Sequence, residues 1–356
     1  MIVVGMSGGV DSSVVAKLLK DKGEQIVGLF MKNWEEKDDN GVCTSEADFA
    51  DVKAVANEIG IPYYGVNFAK EYMDRVFVHF LEEYKKGRTP NPDVLCNREI
   101  KFGPFLEYAL QLGADYIATG HYCDIDHNAD GKHYLLKAVD QNKDQTYFLN
   151  QLSQKQLEKV LFPLGKMEKP EVRKIAEKYG FITATKKDST GICFIGERKF
   201  REFLKNFIPA KRGKIVDLNG NVVGQHDGVM YYTLGQRRGL NVGGVSGTDG
   251  GRWFVVDKNV KTNELLVSQG DESPLYSKAL ISYKINWIPE LPGKEFTCFA
   301  KFRYRQPEQE VKVKVEKNKV FVEFKEKQRA VTPGQFVVFY NDNKCLGGGI
   351  IEEVIK

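Results

Sequence analysis

The first half of the chain alternates short apolar runs with longer stretches of helical spacing. Ile2-Val3-Val4 leads into a glycine-rich segment, and apolar positions at helical spacing follow over residues 13–22. The same reading predicts further strands at 25–31, 62–67 and 116–119, and helices near 46–59, 69–86, 153–160, 168–179 and 197–207. Because alternating strands and helices are typical of a parallel sheet covered by helices, this half is predicted to be an α/β domain.

The pattern changes after Pro209. Asp217–Val222 contains Asn-Gly, which favours a hairpin turn. Period-two alternation in Val311–Val315 and Val320–Phe324 predicts a second hairpin. We therefore predict three domains: the α/β domain over 1–208, a small β-rich central domain over 209–275 and a C-terminal β-barrel over 276–356.

The amino-acid composition indicates a globular protein and little more. The 356 residues are 42% hydrophobic and 28% charged, with a net charge of +4. The charge is concentrated between Arg198 and Lys214, where seven basic residues accompany one acid, Glu202. Such a stretch is either a patch that neutralises phosphates or a solvated linker. The apolar start is interrupted by Gly8-Gly9 and Asp11, so neither a signal peptide nor a membrane span is predicted.

The six cysteines form no CxxC pair, which excludes a zinc ribbon and a thioredoxin motif. Their scatter in a chain of this size predicts thiols in a reducing, cytoplasmic compartment.

The glycine-rich segment lies between a predicted strand and a predicted helix, where amide groups and the helix dipole favour a phosphate. It lacks the Gly-Lys-Ser/Thr ending of a Walker A loop and is not GxGxxG. The pattern SGGVDSS resembles the PP-loop of the N-type ATP pyrophosphatases, an adenine nucleotide alpha hydrolase-like fold that splits ATP between the α and β phosphates. Asp11 either caps the helix or holds Mg²⁺. Met31 and Gly120 end predicted strands, where ligands of such sheets bind. The predicted ATP-binding residues are Gly5, Met6, Ser7, Gly8, Gly9, Val10, Asp11, Ser12, Met31 and Gly120.

Two cysteines have surroundings that suggest chemistry. Cys96 ends the run Asn91-Pro92-Asp93-Val94-Leu95-Cys96, predicted as a loop just before a helix, where a thiolate is favoured. Asp93 is placed to act as a general base. Cys193 precedes a basic helical stretch that favours a thiolate or persulfide. The alternative for each cysteine is a buried, inert side chain.

Several motifs together identify a family. GMSGGVDSS at 5–13, NPDVLCN at 91–97, ATGHY at 118–122, KDQTYFL at 143–149, STGICFIGE at 189–197, LGQRRGL at 234–240, FRYRQ at 302–306 and TPGQ at 332–335 span the chain. With these motifs the chain resembles the bacterial tRNA-specific 2-thiouridylases, the MnmA family, nearly end to end.

The resemblance implies a reaction. The substrate is uridine 34 of the tRNAs for Lys, Glu and Gln. ATP with Mg²⁺ adenylates the C2 oxygen, and a persulfide supplies the sulfur that replaces it. By resemblance Cys193 carries the persulfide, Cys96 is the nucleophile and Asp93 is the general acid/base, with a transient Cys96–Cys193 disulfide. No fixed protein metal site is implied.

The resemblance also implies partners. Asn91, Pro92 and Asp93 contact the target base, and the further tRNA contacts are His121, Lys143, Asp144, Gln145, Arg303, Tyr304 and Gln335. Phe302–Arg305 alternates, so we predict a strand with both arginines on one face and both rings on the other. The basic stretch suits the anticodon stem. The sulfur donor is a cysteine desulfurase or a relay protein, and the chain is expected to be a cytoplasmic monomer.

Two alternatives remain at this stage. Another PP-loop enzyme, such as a tRNA-modifying ligase or an amidating synthetase, forms C–N bonds and needs no persulfide cysteine. A non-catalytic RNA-binding module would use ATP only as a conformational ligand and release no pyrophosphate.

Overall fold

The computed structural model describes residues 1–34, 44–128, 130–188, 200–240, 242 and 251–356. Cys193 therefore lies outside the described residues, as does most of the motif STGICFIGE.

A five-stranded parallel sheet forms the first part of the molecule. Its strand order is β3-β2-β1-β4-β7, with β1 at Ile2–Met6, β2 at Ile26–Lys32, β3 at Tyr63–Asn67, β4 at Tyr116–Ala118 and β7 at Val160–Leu161. Val3 packs in one apolar cluster, whereas Ile2 and Val4 pack in another, so this strand is buried on both faces. The predicted parallel α/β fold is confirmed.

Helices cover both faces of this sheet and connect its strands. The α-helices are α1 Val10–Asp21, α2 Thr44–Ile59, α3 Ala69–Tyr72, α4 Val78–Lys85, α5 Pro92–Cys96, α6 Pro104–Gln111, α7 Thr146–Leu149, α8 Gln154–Glu158, α9 Lys169–Lys178 and α10 Phe200–Lys205. Two π-helical turns, Met73–Phe77 and Asn97–Lys101, follow α3 and α5 directly. The predicted loop at 91–97 is wrong, because Asn91 caps a helix whose first residue is Pro92.

A four-stranded sheet follows, with strand order β10-β11-β8-β9. The strands are β8 Gly213–Val216, β9 Val222–His226, β10 Trp253–Asn259 and β11 Glu264–Gln269. The predicted Asn-Gly hairpin is confirmed: the amide of Asp217 donates to the carbonyl of Asn221 over 2.9 Å, and Gly220 has a φ of +84°.

The C-terminal part is a closed barrel of six strands. These are β12 Tyr276–Trp287, β13 Glu295–Lys301, β14 Gln309–Glu316, β15 Lys319–Arg329, β16 Phe336–Asn341 and β17 Lys344–Ile355, and pairing of β12 with β17 closes the ring. The predicted β14–β15 hairpin is confirmed. A hairpin from the first part of the chain, β5 Cys123–His127 and β6 His133–Lys137, extends this sheet from β17. The barrel is thus joined to the α/β part through a shared sheet.

The prediction of a strand at Phe302–Arg305 is wrong. Strand β13 ends at Lys301, and the amide of Gln306 donates to the carbonyl of Arg303 over 3.2 Å, which makes this segment a turn. Phe302 is buried in the barrel core, while Tyr304 packs against the core of the α/β part. The two rings therefore do not share a face.

Candidate active site

The glycine-rich loop joins the end of β1 to α1. Gly9 is the N-cap residue of α1 and Gly8 has a φ of +73°, a conformation that glycine adopts without strain. The hydroxyls of Ser12 and Ser13 donate to the carbonyl of Gly9 over 3.1 and 2.9 Å. The amide of Ser7 donates to the Ser12 hydroxyl over 3.1 Å. The loop is therefore folded around its own polar groups at the carboxyl edge of the sheet.

Asp11 does not cap α1, because no side chain caps this helix. Its carboxylate instead accepts hydrogen bonds from the Lys169 ammonium over 2.7 and 2.8 Å and from the Tyr122 hydroxyl over 2.7 Å. Lys169 is the first residue of α9, and its side chain is only 9% exposed. Lys169 was not predicted from the sequence, since nothing local distinguishes it from the other lysines; only the docking of α9 on α1 brings it to the loop.

Asp188 is the second carboxylate near this lysine. It pairs with Lys143 at 2.6 Å, with Lys169 at 2.9 Å and with Arg173 at 2.8 Å. Burial by itself raises the pKa of Asp188, but hydrogen bonds from Lys143 and Lys169 and their charges outweigh it and lower the pKa to about 2. Lys169 therefore links the loop residue Asp11 to the residue that immediately precedes segment 189–199.

Two further residues, Lys186 and Gly120, contact the loop from other parts of the chain. The ammonium of Lys186 donates to the Gly8 carbonyl over 2.9 Å and pairs with Asp48 and Asp51. Gly120, which follows β4, lies in direct contact with the loop, because a Cβ placed on it would be 3.0 Å from the Cβ of Asp11. Met31 is partly buried at the end of β2. The predicted ATP residues thus gather along one edge of the sheet.

Helix α5 carries the predicted catalytic pair. The side chain of Asn91 accepts a hydrogen bond from the amide of Val94 over 3.3 Å. Asp93 is half-buried, and Cys96, three residues later on the helix, is 2% exposed. Asp93 and Cys96 therefore lie on neighbouring positions of one helical surface. The described cysteines, which are Cys96, Cys123, Cys298 and Cys345, form no disulfide with one another. Burial raises the pKa of Cys298 and of Cys345 to about 12, so both stay protonated.

The predicted tRNA residues fall into two groups. Arg303 is exposed, and Tyr304 beside it packs its ring 4.4 Å from that of Phe148 and lies with its hydroxyl 3.5 Å from the Lys143 carbonyl. Lys143 keeps about a third of its side chain exposed, at 35%. These residues form one surface between the barrel and the α/β part.

The other group is less exposed: Asp144 and His121 are buried, and Gln145 and Gln335 are partly buried. Asp144 accepts from the Ala138 amide and the Thr146 hydroxyl, and burial raises its pKa. His121 is bonded to Thr119 over 2.8 Å, and burial lowers its pKa well below the usual value, so it is neutral. Gln145 accepts from the Tyr122 amide over 3.0 Å, and Gln335 donates to the carbonyl of Thr89 over 2.8 Å. In this structure these side chains form hydrogen bonds with other groups of the protein.

Among the described residues, no cluster of three or more histidine, cysteine, aspartate or glutamate side chains has the arrangement of a metal site. No described helix is long and apolar enough to cross a membrane.

Comparison with known proteins covers the whole chain. Residues 1–197 match the family described as "tRNA methyl transferase HUP domain", residues 201–269 the "tRNA methyl transferase PRC-barrel domain" and residues 277–351 the "Aminomethyltransferase beta-barrel domain". A relative from Alkaliphilus oremlandii (strain OhILAs) named "tRNA-specific 2-thiouridylase MnmA" is 60% identical over 100% of this chain and 98% of its own length. The chain belongs to the tRNA-specific 2-thiouridylase (MnmA) family.

Other members of the MnmA family give the same result. The protein of the same name from Streptococcus mutans serotype c is 57% identical over 100% of this chain and 96% of its own length. Among solved structures, the "U34-tRNA thiolase NcsA from Methanococcus maripaludis" aligns with 58% of this chain and 63% of its own at 21% identity, with a TM-score of 0.36. Family membership thus rests on the sequence relatives and not on this distant structure.

Proposed function

We propose that this chain is a tRNA-uridine 2-sulfurtransferase that converts uridine 34 of the tRNAs for Lys, Glu and Gln to 2-thiouridine, with ATP cleaved to AMP and pyrophosphate. The observation that carries the proposal is membership of the MnmA family over the whole chain. Two observations support it: Lys169 contacts Asp11 in the glycine-rich loop, and Asp93 and Cys96 lie one turn apart on the same helix.

In this proposal ATP is a substrate bound at the loop after β1. Amide groups at the N-terminus of α1 and the ammonium of Lys169 offer positive charge for the pyrophosphate portion. Gly120 leaves room beside Asp11, and Met31 lies at the adenine end. Mg²⁺ favours carboxylate and phosphate oxygens, and Asp11 is the carboxylate of the loop. Because Lys169 already neutralises Asp11, Mg²⁺ would be held mainly through the phosphates of ATP.

The chemistry then replaces an oxygen by sulfur. Adenylation turns the C2 oxygen of uracil into part of a good leaving group, AMP. A persulfide on Cys193 supplies the sulfur by one of two routes. Either Cys96 attacks the inner sulfur of the persulfide, which forms a Cys96–Cys193 disulfide and frees sulfide to attack C2, or the outer persulfide sulfur attacks C2 itself and Cys96 then forms the disulfide with Cys193 and releases the thiolated base. In both routes AMP leaves from C2. Asp93, which lies one helical turn from Cys96, transfers the proton. Asn91 and Pro92 begin the same helix and would contact the base.

The remaining assignments are proposals of the same kind. Arg303, Tyr304 and Lys143 form the described surface suited to a tRNA phosphate and base. Asp144, Gln145 and His121 would act beneath that surface, as supports of the groups that touch tRNA. The basic stretch from Arg198 to Lys214 suits the anticodon stem. We further propose domain boundaries of 1–208, 209–275 and 276–356, a cytoplasmic monomer, and a cysteine desulfurase or relay protein as the sulfur donor.

The test is a reaction with defined products. The purified chain is incubated with ATP, Mg²⁺, a sulfide source and an unmodified tRNA transcript for Lys, Glu or Gln, and nucleosides are analysed by mass spectrometry. We expect one 2-thiouridine per tRNA and release of pyrophosphate. A transcript with cytidine at position 34 is the matched substrate control and should gain no sulfur.

Cysteine variants distinguish a sulfurtransferase from the rival class, the C–N bond-forming PP-loop enzymes. Cys96→Ser and Cys193→Ser should each abolish sulfur transfer from a persulfide donor, whereas Cys298→Ser, which changes a buried barrel thiol, should retain it. If both site variants keep full activity, a C–N bond-forming PP-loop enzyme becomes the better assignment. If no pyrophosphate appears with tRNA, ATP and a sulfur source, the chain is an RNA-binding module and not an enzyme.

A further inference from the structure

The turn Thr332–Gln335, which leads into barrel strand β16, lies directly against the segment that precedes α5. The side-chain amide of Gln335 donates to the carbonyl of Thr89 over 2.8 Å and to that of Pro90 over 3.3 Å. In the opposite direction, the backbone amide of Thr89 donates to the Pro333 carbonyl over 3.0 Å. These bonds join the barrel to the two residues that stand immediately before Asn91, the cap of α5.

Close packing at Gly334 strengthens this contact. Gly334 has a φ of +94°, and a Cβ at this position would lie 3.0 Å from the Cβ of Arg88 and 3.1 Å from the carbonyl carbon of Thr89. A side chain is therefore excluded both by backbone conformation and by space. The two backbones approach as closely as they do because this residue is glycine.

The other end of the same helix is also tied to the barrel, through α7. The Asn97 side chain donates to the Phe148 carbonyl over 3.1 Å, one residue after Cys96. Helix α7 is in turn bonded to the barrel, since the Tyr147 hydroxyl donates to the Phe336 carbonyl over 3.0 Å. Gln335 and Phe336 are consecutive, so the start of β16 supports both ends of the helix that carries Asp93 and Cys96.

We propose that Gln335 is a positioning residue for the Asp93–Cys96 helix, and that the start of β16 holds this helix in its reactive place. The inference rests on the proposed function for the roles of Asp93 and Cys96. A helix of five residues has little stability of its own, so its placement depends on external contacts. Small displacements of reacting groups lower the reaction rate, so contacts that fix the position of this helix affect catalysis.

This role differs from direct tRNA contact. Both bonds made by the Gln335 side-chain amide go to backbone carbonyls of the α/β part. A group that only touches tRNA would change tRNA affinity when replaced. A positioning group would change the turnover number and the exposure of Cys96, even in the protein alone.

The test compares Gln335→Met, which keeps the size and removes the donor, with Gln309→Met. Gln309 donates its side-chain amide to the Pro307 carbonyl over 3.1 Å and so makes the same kind of bond within the barrel. The first readout is the alkylation rate of Cys96 by iodoacetamide, resolved by peptide mass spectrometry, without tRNA or ATP. Cys96 is 2% exposed, so this rate reports local opening of its helix.

For Gln335→Met we expect Cys96 to alkylate at least about three times faster, because the substitution removes the donor of both hydrogen bonds. We also expect kcat for thiolation to fall about tenfold or more, with the Kd for tRNA within about twofold of the unsubstituted chain. Tyr147→Phe, which removes the bond to Phe336 at the other end, should shift both measurements in the same direction. Gln309→Met should change neither.

The opposite pattern would overturn the proposal: unchanged alkylation of Cys96 in both Gln335→Met and Tyr147→Phe, with only the Kd for tRNA raised. Circular dichroism and the unfolding temperature establish that each variant is folded. If the unsubstituted chain makes no 2-thiouridine, the proposed function fails, but the alkylation comparison still reports on the placement of the helix.

Discussion

The ammonium of Lys169 lies 2.7 and 2.8 Å from the two carboxylate oxygens of Asp11. This pair joins the start of α9 to the nucleotide loop, although the two residues are 158 positions apart in the chain. The same ammonium also reaches Asp188 at 2.9 Å. A single buried cation therefore bridges two carboxylates beside the loop where we place the phosphates of ATP, and Lys143 and Arg173 also pair with Asp188.

Removing this cation is predicted to impair ATP cleavage. Lys169→Gln leaves Asp11 and Asp188 with less compensation and takes positive charge away from the loop. We expect tRNA-dependent pyrophosphate release to fall by about 10²-fold, the scale typical of losing one preorganised electrostatic contact. The matched control is Lys166→Gln, because Lys166 is 82% exposed. Equal pyrophosphate release by the two variants would contradict a role for Lys169 at the loop.

Gly120 is predicted to be needed for the shape of the loop. In Gly120→Ala the new Cβ would lie 3.0 Å from the Cβ of Asp11 and 3.1 Å from the amide nitrogen of Ser12, so the loop must shift. We expect the KM for ATP to rise about tenfold. Steady-state kinetics at varied ATP concentration measure it. Gly293→Ala is the control, because the nearest atom to its new Cβ is the Glu295 carbonyl oxygen at 3.9 Å, and an equal rise there would contradict the explanation.

Arg303 is predicted to contribute one phosphate contact to tRNA binding. Its exposed side chain stands beside Tyr304 at the edge between the barrel and the α/β part. Arg303→Ala should weaken binding of all tRNA substrates and reduce the slope of log K against log salt by about 0.7 to 0.9, the value for one neutralised phosphate. Filter binding at several salt concentrations measures the slope. Lys314→Ala, near the far end of β14, should leave the slope unchanged; an unchanged slope in Arg303→Ala would remove this residue from the interface.

The lowered pKa of Lys258 predicts how the free energy of unfolding depends on pH. Burial lowers its pKa to about 8 from the usual 10.5, and the nearby charge of Asp257 offsets this only in part. Between these two values the unfolded chain holds the proton and the folded chain does not, so the free energy of unfolding should rise with pH. The full gain is on the order of 3 kcal/mol. Urea unfolding of the chain and of Lys258→Met at pH 7.5 to 10.5 tests it. Only the unsubstituted chain should show this gain, and parallel curves would contradict the lowered pKa.

The order of elements in the α/β part was predictable because each element carries its own signal. Strands β1 and β2 are largely apolar, and α9 buries Val172 and Ala176 at helical spacing. The α5 segment was predicted to be a loop because Pro90 and Pro92 discourage helix locally. Pro92 in fact occupies the first helical turn, where its missing amide costs nothing, and Asn91 caps it. The turn at Phe302–Arg305 was missed because alternation alone does not show where a strand ends.

The amino-acid sequence by itself predicted the class of chemistry, since glycines, serines and an aspartate in one short loop between a strand and a helix are typical of a phosphate site. It also determined the family, through motifs spread along the chain. Tertiary structure alone decided which distant side chains complete the site. Lys169 reaches Asp11, and Gln335 reaches Thr89 and Pro90, because helices and barrel strands pack in three dimensions. Such partners leave no local pattern, since a contact between residues far apart in the chain depends on packing and not on spacing.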